Sequence, residues 1–277
     1  MGCGAQHGPD LGVTMRIAVT GAAGLLGRRV VAAIRAAGHD AVSIDRTPAP
    51  DSIVCDVTDA DALRDAVGQA DALVHLAAIT SPLGRPAHVV HNTNVTGSYN
   101  ALAAAAEHGI GRVVMASSVN AIGGCFSRAP RYDYFAVDEE HPSYCEDPYG
   151  LSKREAELQA DAMVAANPGF SVISLRYHAL ISGRSERLDR QRSDTPSRDL
   201  WGWTPLDEAA EATVRACTVP SEGHVVLNLV SGSTLSSTPT AELAARHYPD
   251  VPIKAPLRGC MSFYDSERAR ALLDWRG

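Results

Sequence analysis

Apolar runs of strand length alternate along this chain with longer segments whose apolar positions follow the helical period. Strands are predicted at residues 16–20, 41–45, 52–56, 72–76, 112–116 and 171–176. Helices are predicted from the glycines after the first strand to about residue 37, and at residues 59–67, 86–107 and 148–166. Strands and helices in alternation are typical of a parallel sheet that is covered by helices, so the pattern predicts an α/β fold.

Three glycines separate the first strand from the first helix in the sequence GAAGLLG, residues 21–27. Gly21 permits a tight turn, Gly24 lets the backbone approach a pyrophosphate, and Gly27 lets the helix pack closely on the strand. The free N–H groups at the helix start then face the phosphates. The residues predicted to bind a dinucleotide here are Gly21, Ala23, Gly24, Leu25, Leu26 and Gly27. The order of strand, turn and helix predicts a Rossmann fold, a doubly wound parallel sheet, although the spacing is GxxGxxG rather than GxGxxG.

An acidic residue ends the second predicted strand. Asp45 lies 18 residues after Gly27, where a carboxylate that binds the adenosine ribose is expected. Such a carboxylate accepts hydrogen bonds from the 2′-hydroxyl and repels a 2′-phosphate, which favours NAD over NADP. Arg46 favours NADP instead, because its guanidinium can bind the 2′-phosphate. We expect both residues to contact the cofactor and NAD to be preferred; the alternative for Asp45 is a turn residue before Thr47.

The composition agrees with one globular domain of enzyme size. The chain has 277 residues, of which 45% are hydrophobic and 21% are charged, so it can bury a substantial core. Its formal charge of −7 argues against nucleic acid or an anionic membrane as the main partner. No apolar run approaches the roughly 18 residues of a membrane helix. We expect a disordered tail at residues 1–14 and a single domain at residues 15–277.

The cysteines and histidines do not indicate a metal site. The six cysteines show no CxxC pair, which favours free thiols in a reducing cytoplasm. The ten histidines show no spacing that is typical of metal ligands, and His88 and His91 are interpreted as surface residues. The sequence therefore predicts a cytoplasmic protein that holds no metal.

Catalytic chemistry is indicated by Tyr149 and Lys153, which stand four residues apart and so share one face of the predicted helix. Asp147 can cap this helix and Pro148 suits its first turn, which places Tyr149 at the positive end of the helix dipole. A lysine cation and a helix N-terminus favour a phenolate, which can take a proton from a substrate hydroxyl. YxxxK is also a common surface pair, so the assignment depends on the other motifs.

Several motifs together resemble the extended short-chain dehydrogenase/reductases, the NAD-dependent epimerase/dehydratase family. They are TGAAGLLG at residues 20–27, CDVTD at 55–59, HLAA at 75–78, NVTGS at 94–98, the serine pair at 117–118 and YGLSK at 149–153. The resemblance covers nearly all of residues 15–277 and includes a C-terminal helix near residues 265–275. It implies a mainly NAD-binding Rossmann core at residues 15–177 and a small, mainly substrate-binding region with interleaved core elements at residues 178–277.

The resemblance also implies roles for single residues. Ser118 would hydrogen-bond the reacting oxygen, Tyr149 would act as the general base, and Lys153 would hold the nicotinamide ribose and depress the pKa of Tyr149. Asn94 would support the active-site helix and a proton path. Further cofactor contacts are implied for Asp56, Val57, Leu76, Ala77, Ala78 and Ala116. A homodimer through the helix at 150–166 and the alanine-rich helix before it is implied in the same way.

The implied substrate is a small sugar or sugar acid. Only 128 residues follow Tyr149, and the chain resembles the short branch of uronate and aldose 1-dehydrogenases. The substrate-binding residues implied by that likeness are Thr80, Ser118, Asn120, His178 and Arg198, the last matching an arginine that binds the substrate carboxylate. The arginine-rich segment at residues 183–200 is interpreted as a mobile lid or as a solvated loop. Two alternatives stay open: a nucleotide-sugar epimerase or dehydratase with tightly bound NAD, and a non-catalytic NAD(P)-sensing regulator.

Overall fold

A parallel sheet forms the centre of the computed structural model, which describes residues 14–183 and 197–277. Its strands are β1 (Arg16–Thr20), β2 (Asp40–Asp45), β3 (Ser52–Val54), β4 (Ala72–His75), β5 (Arg112–Ser118), β6 (Ser171–Tyr177) and β9 (Gly223–Leu229). They are ordered β3-β2-β1-β4-β5-β6-β9, and all neighbours are parallel. A separate pair is formed by β7 (Leu180–Ile181) and β8 (Thr204–Pro205). This is the predicted doubly wound α/β fold.

Helices cover both faces of the sheet because its central strands are apolar on both sides. The helices are α1 (Leu25–Ala36), α2 (Ala60–Val67), α3 (Ala87–Glu107), α4 (Pro148–Ala166), α5 (Leu206–Thr218), α6 (Thr240–His247) and α7 (Glu267–Leu273). One apolar cluster joins the sheet to α1, α5 and α7, and a second joins it to α2, α3 and α4. The strand ends on which a ligand can bind are thereby held between two packed layers.

The six predicted strands and four predicted helices are confirmed, with small differences at their ends. The third strand stops at Val54, two residues short of the prediction, because Asp56 folds into a turn in which its carboxylate accepts bonds from Thr58. The seventh strand, β9, was not predicted. It pairs with β6 along its whole length and completes the edge of the sheet.

A third apolar cluster joins the segment after β5 to the C-terminal part of the chain. It packs Phe135 of the long loop after β5 against Leu200, Leu243 and Phe263. These residues are far apart in sequence, so the cluster ties the loop to the region after β6 and supports the wall above the strand ends. Most of the arginine-rich segment, including Arg184, lies outside the described residues, as does the predicted tail up to residue 13.

Candidate active site

A cleft of about 570 Å³ opens at the carboxyl ends of β1, β4 and β5. Ligands bind at this edge in doubly wound sheets, where the strand order reverses. The predicted cofactor residues that line it are Gly21, Gly24, Leu25, Leu26, Gly27, Asp45, Arg46, Asp56, Val57, Leu76, Ala77, Ala78, Ala116, Tyr149 and Lys153. Of the predicted substrate residues, Thr80, Ser118, Asn120 and His178 line the same cleft. The structure therefore brings together most of the residues that the sequence singled out.

The glycine turn leaves the start of α1 accessible from the cleft. Gly21 has a φ of +71°, and a Cβ on it would lie 2.7 Å from the backbone nitrogen of Ala77. Gly24 begins α1 without a side-chain cap, and the first turn of the helix holds no acidic residue. By contrast, the cap of α4 is occupied by Asp147. The uncapped N–H groups and positive dipole of α1 are thus suited to a diphosphate.

Asp45 connects the end of β2 to this turn. Its Oδ2 accepts a bond of 3.0 Å from the backbone N–H of Ala23, and its Oδ1 accepts one of 2.8 Å from that of Thr47. A carboxylate has about four acceptor positions, so Asp45 keeps capacity for a ribose hydroxyl. Ala23 itself is not among the described residues that line the cleft, because its N–H group is bound to Asp45.

Asp56 lies at the same end of the cleft as Arg46. Two hydrogen bonds from Thr58 hold the pKa of Asp56 below its usual value, and the nearby Arg46 guanidinium contributes in the same direction. Arg46 is exposed, whereas Val57 is buried. This end of the cleft thus offers a buried apolar side chain and ionised groups, a combination that fits an adenosine.

Tyr149, Lys153 and Ser118 meet where α4 crosses the end of β5. Asp147 Oδ1 accepts bonds of 2.9 Å from the N–H groups of Tyr149 and Gly150, which confirms the predicted cap. Ser118 lies close enough to Tyr149 to lower the pKa of its phenol. Lys153 Nζ donates to the carbonyl oxygen of Ala116 at 2.6 Å and retains two further N–H bonds for a ligand.

The expected depression of the Tyr149 pKa is not found in the chain by itself. Burial raises the pKa of Tyr149, the hydrogen bond with Ser118 lowers it, and the Asp147 carboxylate raises it. Lys153 lies 5.9 Å from the centroid of the Tyr149 ring and is directed to the Ala116 carbonyl. Burial also lowers the pKa of Lys153 to about 8. Desolvation at the bottom of the cleft therefore outweighs the helix dipole that the sequence emphasised.

Asn94 links α3 to two other parts of the site. Its Oδ1 accepts from the N–H group of Ile79 at 2.8 Å, and its Nδ2 donates to the carbonyl oxygen of Ile79 and to Ser152 Oγ, both at 3.0 Å. Ser152 in turn donates to the carbonyl oxygen of Tyr149. Asn94 does not line the cleft among the described residues, but its position suits a residue that holds the loop after β4 and α4 together.

The other end of the cleft contains residues that the sequence did not single out. Cys125 and Phe126 line it, and the Phe126 ring meets the Tyr149 ring edge-on at 5.9 Å between centroids. Both belong to the long loop at residues 123–146, between β5 and α4. Leu180 and Asp199 also line the cleft. Leu180 could have been predicted because it follows the carboxyl end of β6, and ligands bind at the carboxyl ends of parallel strands.

Two polar side chains stand at this end beside Asp199. His178 Nδ1 accepts a bond of 2.6 Å from the Ala179 N–H group, so Nε2 carries the proton that is donated to the Asp199 carbonyl oxygen at 2.9 Å. Asn120 Nδ2 lies 3.5 Å from Ser118 Oγ. The Asn120 amide can donate to and accept from the hydroxyls of a polar ligand that reaches Tyr149, whereas both ring nitrogens of His178 are bound within the chain.

Arg198 is placed differently from the other predicted substrate residues. It is exposed, its Nη1 donates to the carbonyl oxygen of Ser127 at 3.3 Å, and it is not among the described residues lining the cleft. The neighbouring Asp199 lines the cleft instead. A role of Arg198 in binding a carboxylate therefore stays a prediction.

Comparisons with known proteins agree with this geometry. A sequence profile of the NAD dependent epimerase/dehydratase family matches residues 17–199. The chain is 35% identical to L-arabinose 1-dehydrogenase (NAD(P)(+)) of Haloferax volcanii over 64% of its own length and 73% of that protein. It is 28% identical to uronate dehydrogenase of Pseudomonas syringae pv. tomato over 78% and 74% of the two chains. It also resembles the solved structure of MoeE5 in complex with UDP-glucose and NAD, with a TM-score of 0.68, 25% identity and coverage of 95% and 93%.

Proposed function

This chain belongs to the NAD dependent epimerase/dehydratase family, and from that premise we propose that it transfers hydride between NAD and a hydroxyl of a small sugar or sugar acid. The observation that carries the proposal is the convergence of Ser118, Tyr149 and Lys153 in the cleft that begins at the glycine turn. Relatives named as dehydrogenases of L-arabinose and of uronate support the substrate class. A regulator that only senses NAD(P) would not need Ser118, Tyr149 and Lys153 together, since their combination serves proton transfer.

The proposed reaction removes two hydrogens from a carbinol. Ser118 Oγ, which accepts the Asn120 N–H bond of 3.1 Å, orients the substrate oxygen toward Tyr149. The Tyr149 phenolate takes the hydroxyl proton while a carbon–oxygen double bond forms and the carbon loses hydride. NAD, when bound, supplies the hydride acceptor. Lys153 would hold the ribose of NAD with the N–H bonds that Ala116 does not use.

The test is the absorbance of reduced nicotinamide in a mixture of purified protein, NAD and single members of a panel of aldoses, uronic acids and polyols. We expect turnover with one sugar class. A preference for uronic acids that disappears in Arg198→Ala would assign Arg198 to the substrate carboxylate. If NAD binds but no compound of the panel gives reduced nicotinamide, the proposal of a free-sugar dehydrogenase is contradicted.

A nucleotide-sugar epimerase or dehydratase is the second candidate. The likeness to MoeE5 in complex with UDP-glucose and NAD favours it. Such an enzyme returns the hydride to its substrate, so NAD stays bound and shows no net reduction. This candidate would be supported over the first if one NAD per chain stays bound through gel filtration and no sugar of the panel gives reduction of NAD.

The preference for NAD is proposed to depend on the charge of Asp45. Asp45→Asn keeps an acceptor for the Ala23 N–H group but removes the charge that repels a 2′-phosphate. We expect the ratio of NAD to NADP affinity to fall by about tenfold, which corresponds to about 1.4 kcal/mol. Titration of both cofactors by protein fluorescence measures the ratio, and an unchanged ratio would remove Asp45 from cofactor selection.

A homodimer is proposed from the outer surface of α3 and α4. Tyr99 on α3 and Leu151 and Leu158 on α4 are large apolar side chains that are 53%, 40% and 50% exposed. Leu151 and Leu158 are seven residues apart and so share one face of the helix. Light scattering is expected to give twice the chain mass of 29.3 kDa, whereas a monomer would contradict the dimer.

We further propose a cytoplasmic location, no metal requirement and no nucleic-acid or membrane partner. None of the five cysteines in the described part of the chain forms a disulfide, which suits a reducing compartment. Among the described helices, none is long and apolar enough to cross a membrane. The negative charge and the concave cleft both favour a small-molecule partner. We likewise propose that residues 15–177 mainly bind NAD and that residues 178–277 mainly bind the substrate. The positions of His178 and Leu180 at the substrate end of the cleft support this assignment.

A further inference from the structure

Three residues at successive turns of α4 contact three successive residues of β5. Tyr149 lies beside Ser118, Lys153 donates to the Ala116 carbonyl, and Glu157 Oε1 accepts a bond of 2.7 Å from Ser117 Oγ. The spacing of four residues places Tyr149, Lys153 and Glu157 on one face of the helix. Glu157 thus lies on the same helix face as Tyr149 and Lys153, one turn beyond Lys153.

Arg176 holds Glu157 from the next strand. Its Nε and Nη2 donate to the two carboxylate oxygens at 2.8 Å each, and its Nη1 donates to the Glu139 carbonyl oxygen at 3.2 Å. Arg176 is the register partner of Ser117 across β5 and β6, so both residues approach the carboxylate from one edge. Glu157 and Arg176 are only 1% and 3% exposed. A buried pair with this geometry gives the carboxylate one fixed position.

We propose that Glu157 is a positioning residue, which holds the end of β5 against α4 and supplies a buried carboxylate one helical turn from Lys153. The inference rests on the proposed function, because it assigns Glu157 a task in the same proton-transfer set. It extends the active site to a residue that touches neither substrate nor cofactor.

The charges around Lys153 support this role. On α4 they are Tyr149, which is neutral at pH 7, Glu157, and Arg154, which pairs with Glu157 at 3.3 Å; on β4 there is His75, which burial keeps neutral by lowering its pKa to about 3. The Ala116 carbonyl and Ser117 face this region from β5, and Arg176 of β6 lies behind Glu157. Burial lowers the pKa of Lys153, and Glu157 is the charge that raises it. Removing the carboxylate is therefore expected to release the Lys153 proton at lower pH.

The chain offers a direct measurement, because Lys153 and Lys254 are its only lysines. Isotope-labelled lysine gives two side-chain NMR signals in the full-length protein, and Lys254, which lies over the Tyr134 ring, is the internal reference. In Glu157→Gln we expect the titration midpoint of Lys153 to move to lower pH while that of Lys254 stays in place. The basic limb of the kcat–pH profile should move in the same direction, and kcat should fall by about tenfold or more, the range seen for residues that orient active groups from behind.

A matched control is Glu155→Gln on the same helix. Glu155 pairs with His91 of α3 at 2.9 Å and faces away from the β5 end, so neither readout should move. If Glu157→Gln does not fold, the double variant Glu157→Gln/Arg176→Gln removes the buried pair as a unit and is expected to move the Lys153 midpoint in the same direction but by less, because the Arg176 charge is lost together with the carboxylate. An unmoved Lys153 midpoint in the folded variant would overturn the proposal, even if kcat falls. Because the NMR readout needs no substrate, a failure of the proposed function in the sugar panel would be seen separately.

Discussion

Tyr149→Phe is expected to lower turnover by about 10²–10⁴-fold, the usual contribution of a positioned general base. The change removes one oxygen atom and keeps the ring that meets Phe126 edge-on. The glycine turn and Lys153 are untouched, so the affinity for NAD should stay the same. In the unsubstituted protein, burial raises the pKa of Tyr149, so oxidation should accelerate with pH up to about 8, where half of the Lys153 side chains have lost their proton. This rise should disappear in the variant.

The measurement combines steady-state rates across pH with NAD titration. Tyr144→Phe is the matched control, since it removes a hydroxyl that donates to Asp133 Oδ2 at 2.8 Å outside the cleft. The control should keep its activity. Full activity in Tyr149→Phe would overturn the mechanism, and a parallel loss of NAD affinity would show that the hydroxyl serves binding rather than proton transfer.

Gly27→Ala is expected to destabilise the protein by about 3 kcal/mol and to weaken NAD binding severely. A methyl group on Gly27 would overlap the Gly21 carbonyl oxygen and lie 2.8 Å from the Ala22 Cα. These are backbone atoms, which cannot rotate away as a side chain can, so the turn must shift. Because the same turn presents the start of α1 to the cleft, its displacement also moves the N–H groups that would face the phosphates.

Thermal unfolding and NAD titration of Gly27→Ala measure the two effects. The control is Gly111→Ala, where the added methyl meets the Gly169 carbonyl oxygen at an ordinary 3.6 Å. The unfolding temperature of the control should stay close to that of the unsubstituted protein. A variant at Gly27 that is as stable as the control would show that the turn can relax, and the close packing of α1 on β1 would then not depend on this glycine.

Local features of the site were predictable from the sequence. The glycine turn follows from the spacing of three glycines between a strand and a helix, and α4 begins at Pro148 because Asp147 caps the two N–H groups that follow it. Asp45 was predicted as a cofactor residue from its distance to Gly27. Its second contact, with the Ala23 N–H group, was not predicted, because the strand end and the turn meet only in the folded sheet.

Two features at the other end of the site required the fold. Phe126 lies in a loop without a periodic pattern, and it reaches Tyr149 because the C-terminal apolar cluster holds that loop in place. The direction of the Tyr149 pKa shift was also wrong in the sequence-based expectation. The helix dipole and Lys153 are visible in a sequence, whereas the burial that outweighs them depends on every element around the phenol.

The order of strands and helices, the glycine turn and the one-turn spacing of Tyr149 and Lys153 follow from local sequence patterns. Each depends on periodicity or on hydrogen bonds between residues that are close in the chain. The pairing of β9 at the edge of the sheet depends on the complete fold, as do the contacts of Glu157 with Ser117 and Arg176, which are 40 and 19 residues away from it in the chain. Such contacts are determined by strand register and by the requirement that buried charges find partners, and neither is encoded in a local pattern.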